Sequence, residues 1–202
     1  MTAKIKLNAA SGGGSFSLQA PSSSANTRVM TLPDTADGTI LTTTNPKAGN
    51  IIQVLENVRI DASSHTVNAG ATFEPTFLRQ SITTTGTNKV QIDGFISLAE
   101  DAATNDIMVG LRRDGSSIGQ GVASGVKRIC TSVGFNSGSH NMISIPFMFL
   151  DSPSAGTHEY HLQISHGSGG NRTMYVNRTE DDSNNAQHPR SISIIRVSEV
   201  AV

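Results

Sequence analysis

From residue 51 onward, short runs alternate apolar with polar positions, the period-two signature of half-buried strands. Ile51-Ile52-Gln53-Val54-Leu55, Phe73-Glu74-Pro75-Thr76-Phe77-Leu78 and Lys89-Val90-Gln91-Ile92-Asp93-Gly94-Phe95-Ile96 come first. Similar runs follow at 107–111, 142–150, 158–164 and 192–197. Turn-forming stretches separate them, such as Asp114-Gly115-Ser116-Ser117 and Ser165-His166-Gly167-Ser168-Gly169-Gly170. No segment sustains a helical period and no internal repeat is visible. Many short strands punctuated by Gly and Asn turns predict an all-β fold, a β-sandwich or jelly roll.

The first 45 residues read differently. Lys4-Ile5-Lys6-Leu7 and Ser15-Phe16-Ser17-Leu18-Gln19 alternate like strands, and flank Ser11-Gly12-Gly13-Gly14-Ser15, which alone would read as a flexible linker. Arg28-Val29-Met30-Thr31-Leu32 is ended by Pro33, and Asp37-Gly38 supplies a turn before Thr39-Ile40-Leu41. Such pieces are too few to make a stable sheet alone. They are expected to lend strands to another protein by β-augmentation. Phe16, Leu18, Val29, Leu32 and Ile40 are the candidate attachment residues. Asn45-Pro46-Lys47-Ala48-Gly49-Asn50 marks the boundary, so residues 1–45 form an attachment segment and 46–202 a head.

Composition sharpens this picture. Charged residues make up 15% of the 202 and aromatics 4%, with no tryptophan, both below ordinary usage. A core this thin predicts that neighbouring subunits bury part of the apolar surface, most economically around a closed axis, as a homotrimer. The formal net charge of -1 leaves no electrostatic footprint for nucleic acid. No apolar run is long enough to insert into a bilayer. Lys4 and Lys6 precede no apolar h-region, so no secretory signal is expected. The single cysteine, Cys130, suits synthesis in a reducing cytoplasm and reads as a small buried hydrophobe.

Candidate chemistry is sparse. No Gly-x-Ser-x-Gly elbow is expected in the chain, and so no serine hydrolase. His158 and His161 stand three apart beside Glu159, but on a strand they face opposite sides of the sheet and make a poor metal pair. Glu180-Asp181-Asp182-Ser183-Asn184-Asn185 is rich in oxygen ligands yet lacks the EF-hand spacing. It reads better as a solvated apical loop, with Asp181, Asp182, Asn184 and Asn185 as candidate receptor-facing residues. Asn171-Arg172-Thr173 and Asn177-Arg178-Thr179 match the glycosylation pattern without the context that would use it. Arg112-Arg113 reads as solvation beside a hairpin turn. No cofactor, metal or enzymatic activity is expected. Phe95, Phe147, Phe149, Leu162 and Ile194 should dominate stability, with His158, His161 and Asp182 on solvated or half-exposed positions.

Two stretches carry a resemblance. Gly12-Gly13-Gly14-Ser15-Phe16-Ser17-Leu18-Gln19-Ala20-Pro21-Ser22-Ser23, followed by Thr31-Leu32-Pro33-Asp34-Thr35-Ala36-Asp37-Gly38-Thr39-Ile40-Leu41, resembles an N-terminal motif of bacteriophage tail-fibre and other virion structural proteins, especially in phages of marine bacteria and cyanobacteria. In the head, Leu111-Arg112-Arg113-Asp114-Gly115-Ser116-Ser117-Ile118-Gly119, Phe149-Leu150-Asp151-Ser152-Pro153, Met174-Tyr175-Val176-Asn177-Arg178 and 191–200 follow in an order similar to jelly-roll heads of such proteins. Those heads are similar in plan to the trimeric heads of tumour necrosis factor and complement. The resemblance implies a virion component made in the host cytoplasm: a short tail fibre or adaptor with an outward jelly-roll head. A capsid decoration (cement) protein or a host-glycan-binding head is the alternative. A repetitive shaft, usual in tail fibres, is missing. Other virion proteins, further copies of the chain and a host surface glycan are the implied partners.

Overall fold

The computed structural model describes residues 4–19, 22–27, 29, 46–70, 78–101, 105–138 and 141–202. The expected strands at 28–32, 39–41 and most of 73–78 lie outside these residues. The chain divides into two compact units, Met1–Ile40 and Leu41–Val202.

In the first unit, β1 (Lys4–Asn8) and β2 (Ser15–Gln19) pair antiparallel, with Ile5 opposite Leu18 and Leu7 opposite Phe16. Gly12 and Gly13 take φ of 83° and 71°, a region open to glycine at little cost. Ala9 N–H donates to the Gly14 carbonyl at 2.8 Å and closes the reversal. The stretch that reads as a linker is therefore a hairpin loop. The strands expected to be lent to another protein here satisfy one edge of each other.

The second unit is built entirely of antiparallel strands among its described residues. In chain order they are β3 (Ile51–Arg59), β4 (Ser63–Val67), β5 (Arg79–Thr84), β6 (Lys89–Glu100), β7 (Asn105–Arg113) and β8 (Ser116–Ile118). β9 (Ser132–Asn136), β10 (Ile143–Asp151), β11 (Gly156–His166), β12 (Arg172–Val176) and β13 (Ser193–Val200) complete it. One sheet runs β3-β13-β6-β12-β4 with β10 also on β6; the other runs β5-β11-β7-β8 with β9 also on β7. The pairings are nested: β3 with β13, β5 with β11, β6 with β10, β7 with β9. This unit is thus a long hairpin folded near its middle and arranged in two sheets.

The long strand β6 anchors the first sheet. Ile92 is opposite both Phe149 and Val197, so β10 and β13 bond its two edges. Beyond Phe95, β12 takes over from β13 on the same edge. β10 bonds no strand but β6 among the described residues, and an edge strand tolerates Pro146, which has no N–H to donate.

Burial follows the pleat. Val90, Ile92, Ile96 and Leu98 of β6, Ile145 and Phe147 of β10, and Ile195 and Val197 of β13 turn inward. They join Ile107, Val109 and Leu111 of β7 and Tyr160, Leu162 and Ile164 of β11 in one apolar cluster. Gly94 interrupts the inward row of β6 because nothing larger fits. A Cβ there would lie 2.0 Å from the Ile194 carbonyl oxygen and 2.9 Å from the Phe147 ring, and φ is 156°. Polar ties also cross between the sheets. Glu199, only 4% exposed, accepts hydrogen bonds from Thr84, Asn88 and Gln53.

Some expected core positions move. Phe147 and Leu162 are buried, whereas Phe95 and Ile194 are half-buried on the outer face, and Phe149 is half-buried. In β6 both rows contain apolar side chains, so alternation alone cannot say which row meets the second sheet. His161 is only 2% exposed, against the solvated position expected of it. It lies opposite Arg79 and Arg112 in the ladders, on the outward row of β11, where its neighbours cover it.

Truncating Leu162 to Ala is expected to cost about 2–5 kcal/mol in urea denaturation. Gly94→Ala should cost about 1–3 kcal/mol through overpacking. Val122→Ser, at a position 94% exposed, should stay within roughly 0.5 kcal/mol.

Candidate functional site

Three places offer themselves as functional surface. On the outward side of the first sheet, residues in register across four strands form a continuous apolar row: Val58, Ile194, Phe95 and Pro146. The next row is Glu56, Arg196, Asp93 and Met148, in which Arg196 and Asp93 are ion-paired at 2.5 Å and Met148 is 71% exposed. Leu150 and Val54, 47% and 50% exposed, continue the apolar character one row further. An open groove of about 620 Å³ runs over Phe95, Pro146, Met148 and Ile194. Solitary exposed apolar side chains are ordinary, and a contiguous set across a sheet makes this face a candidate interaction surface.

The β1–β2 hairpin offers the second. Ile5 and Leu18, directly opposite and 64% and 39% exposed, share a face with Leu7, 58% exposed. Lys6, Ser17 and Gln19 occupy alternate positions on the strands, so the hairpin is amphipathic. Of the sequence-derived attachment residues, Leu18 lies on this face and Phe16 is opposite Leu7 in the ladder. Val29 is 87% exposed outside any strand, while Leu32 and Ile40 lie outside the described residues.

The loop after β12 is the third. Asp182 receives a two-pronged ion pair from Arg190, at 3.0 and 2.7 Å. That hydrogen bond is the main reason its carboxyl titrates below the ordinary value. Asp181 accepts from the Ser183 N–H at 2.9 Å and Asn185 from the Gln187 N–H at 3.0 Å. Asn184 is exposed. These acids and amides are largely engaged in holding the loop's own shape. Among the described residues no group of three or more His, Cys, Asp or Glu is placed to hold a metal ion.

The polar clusters of the second sheet are structural in geometry. Asp114 and Gly115, φ 50° and 79°, make the two-residue turn between β7 and β8, the left-handed pair that such a hairpin requires. Asp114 accepts from the Glu159 N–H at 2.8 Å and pairs with His158 Nδ1 at 2.6 Å. The bond from Asp114 holds the imidazole above its usual pKa. Burial opposes ionisation of Asp114, but its bonds from His158 and Glu159 carry its carboxyl below the usual range. Nearby, Asp151 accepts from the Tyr160 hydroxyl at 2.8 Å and from Arg113 at 2.6 Å, joining the two sheets. Burial first, then this bond, pushes the Tyr160 phenol far up.

Contrary to the expectation of no Gly-x-Ser-x-Gly, Gly115-Ser116-Ser117-Ile118-Gly119 spells that pattern. It is not an elbow. Ser117 is on β8 opposite Arg112, in a β-hairpin with no helix after it. Cys130 is half-buried in a loop rather than in an apolar core strand, and burial raises its thiol pKa.

No protein-family model and no curated protein matches the chain. Among solved structures, it is similar to a chain in the "Structure of infectious bursal disease virus Gx strain", at 13% identity and a TM-score of 0.40. The alignment covers 87% of this chain and 43% of that one. A likeness so distant speaks to neither activity nor partner. No helix among the described residues is long and apolar enough to cross a membrane.

The His158–Asp114 pair has a defined pH window. With the imidazole pKa raised above 6.5, its stabilisation is complete below that value and fades as pH rises through the raised pKa. With the Asp114 pKa lowered from 3.8, its share is present above that value and fades as pH falls through the lowered pKa. The clasp is therefore strongest between pH 3.8 and 6.5. An NMR titration of the His158 ring should give a midpoint above 6.5, falling back toward that value in Asp114→Asn.

Proposed function

We propose that this chain is a non-enzymatic structural subunit of a bacteriophage particle. In this reading it is a short tail-fibre or adaptor appendage held by its N-terminal unit, with a jelly-roll head assembled as a homotrimer. The observation that carries the reading is the apolar surface left uncovered on each unit: the Ile5, Leu7 and Leu18 face of the hairpin, and the Val58-Ile194-Phe95-Pro146 row of the head. Two such faces on one chain call for two kinds of contact. The hairpin is too small to be stable without a partner and suits docking on another virion protein. The head row lies on a broad, regular sheet and suits closure around an axis by like copies.

The nested pairing of β3, β5, β6 and β7 with β13, β11, β10 and β9 supports a jelly roll, an eight-stranded hairpin wrapped into two sheets. The glycine-turn motif at 12–19 supports the virion assignment, because it resembles the N-terminal motif of phage structural proteins.

Light scattering of the purified chain should return three times the monomer mass. Phe95→Asp places a charge in the apolar row and should yield a monomer whose circular dichroism is unchanged. A monomeric parent protein would sink the trimer. A chain shortened to begin at Gly49 should remain β-rich but fail to bind particles, and Leu7→Asp with Leu18→Asp should weaken particle binding in the full chain. Imaging of labelled particles should place the protein on the tail; a capsid location would make it a decoration protein instead.

A further inference from the structure

We propose that a recess on the outward side of the second sheet binds an anionic sugar unit, a pyranose bearing one carboxylate or sulfate group. This goes beyond the virion reading and does not require it, since it concerns the folded chain alone.

The recess, of about 390 Å³, is roofed by the 119–131 loop and floored by β7 and β11. That volume falls within the range of small-ligand sites, roughly 300–1,000 Å³. The loop is tied down at its base. Gly121 N–H donates to the Cys130 carbonyl at 3.1 Å, Thr131 N–H to the Val109 carbonyl at 2.8 Å, and Leu111 N–H to the Thr131 hydroxyl at 2.9 Å. On the floor, Gly110 is opposite Gln163. The Gln120 Nε2 lies 2.5 Å from where a Gly110 Cβ would stand, so the bare backbone admits this side chain.

The charges lining the recess are positive, with Asp106 standing nearby and acting on Cys130. Lys127 and Arg128 both line the recess, no acidic residue does, and neither cation pairs with a carboxylate among the described residues. Arg128 is held in place by donating to the backbone carbonyl of His166, which leaves other guanidinium donors for a ligand. A positioned guanidinium suits a carboxylate or sulfate, and the lysine adds a point charge. Around the cations stand two amides, Gln120 and Gln163, and two hydroxyls, Ser117 and Ser165. Groups that both donate and accept match the hydroxyls of a sugar ring. A nucleic acid would need a track of cations, whereas two cations ringed by neutral polar groups in a small concavity select a compact ligand with one charge.

The test uses the full chain, with calorimetry and saturation-transfer NMR at constant ionic strength. The probes are D-glucuronate, glucose 6-sulfate, methyl glucoside and sodium sulfate. At least one acidic sugar should bind saturably, with methyl glucoside and sodium sulfate at least about tenfold weaker, a factor of ten being about 1.4 kcal/mol. Lys127→Met and Gln163→Leu should each weaken the acidic sugar by several-fold or more without moving the melting temperature. Arg128→Met should abolish binding; because it also removes the tie to His166, the Lys127 and Gln163 variants decide if it unfolds. No saturable binding of either acidic sugar at millimolar concentration would overturn the proposal. Sulfate as tight as the sugars would reduce the recess to a bare anion site and refute it as a sugar site. Affinity unchanged in the Lys127 and Gln163 variants would place binding elsewhere. Failure of particle attachment or of trimer formation has no bearing on these readouts.

Discussion

Each of the two sheets in the larger unit has one face that must be removed from water, and among the described residues the other sheet is what covers it. The rest of the structure follows from that constraint. It sets the inward rows of β6, β7, β11 and β13, requires Gly94 to stay small so that Phe147 can lie across it, and leaves polar groups at the sandwich edges to be paired between sheets. Glu199 with Thr84, Asn88 and Gln53, and Asp151 with Tyr160 and Arg113, do this at buried positions. A buried carboxylate is tolerable only with such partners.

The wrapping also creates a fault that the sequence repairs. Where β13 gives way to β12 along one edge of β6, backbone groups lose their ladder partners. Asn177, buried and at φ 59°, fills the gap: its N–H donates to the Ser97 carbonyl and its side-chain amide to the carbonyls of Arg59 and Asp61. Ser193 donates its hydroxyl to Asn177 and accepts from the Ser97 N–H. Asparagine is among the few side chains that tolerate a left-handed backbone. Its place here explains why this Asn-Arg-Thr is a packing element with its side chain occupied.

What the core does not consume lies outward. The thin aromatic complement is spent partly on the outer row with Phe95, and the charged residues are mostly paired in local clasps such as Asp114–His158 and Asp182–Arg190. Against that background Lys127 and Arg128, which pair with no carboxylate among the described residues, line a polar recess, and an apolar row crosses the outward side of a sheet. Surfaces of this kind are where partners and ligands are met.

Much of the fold was legible in the residues. Period-two runs at 51–55, 89–96, 107–111, 142–150, 158–164 and 192–197 became β3, β6, β7, β10, β11 and β13, and Asp114-Gly115 became a tight turn. β4, Ser63–Val67, and β9, Ser132–Asn136, escaped notice because their sequences are polar or glycine-broken, and their pairing is made by distant strands. Of the candidate sites, the amphipathic 4–19 segment was readable, since alternation is local. The recess was not, because it joins Gln120, Lys127 and Arg128 to Gln163 from across the ladder. The sequence by itself determined that the described residues build strands rather than helices, and where most of those strands lie. The tertiary structure alone decided which row of β6 faces inward, which strands are neighbours, and that His161 is covered while Phe95 is left at the surface. Alternation specifies two faces for every strand, but only the packing of one sheet on another chooses between them.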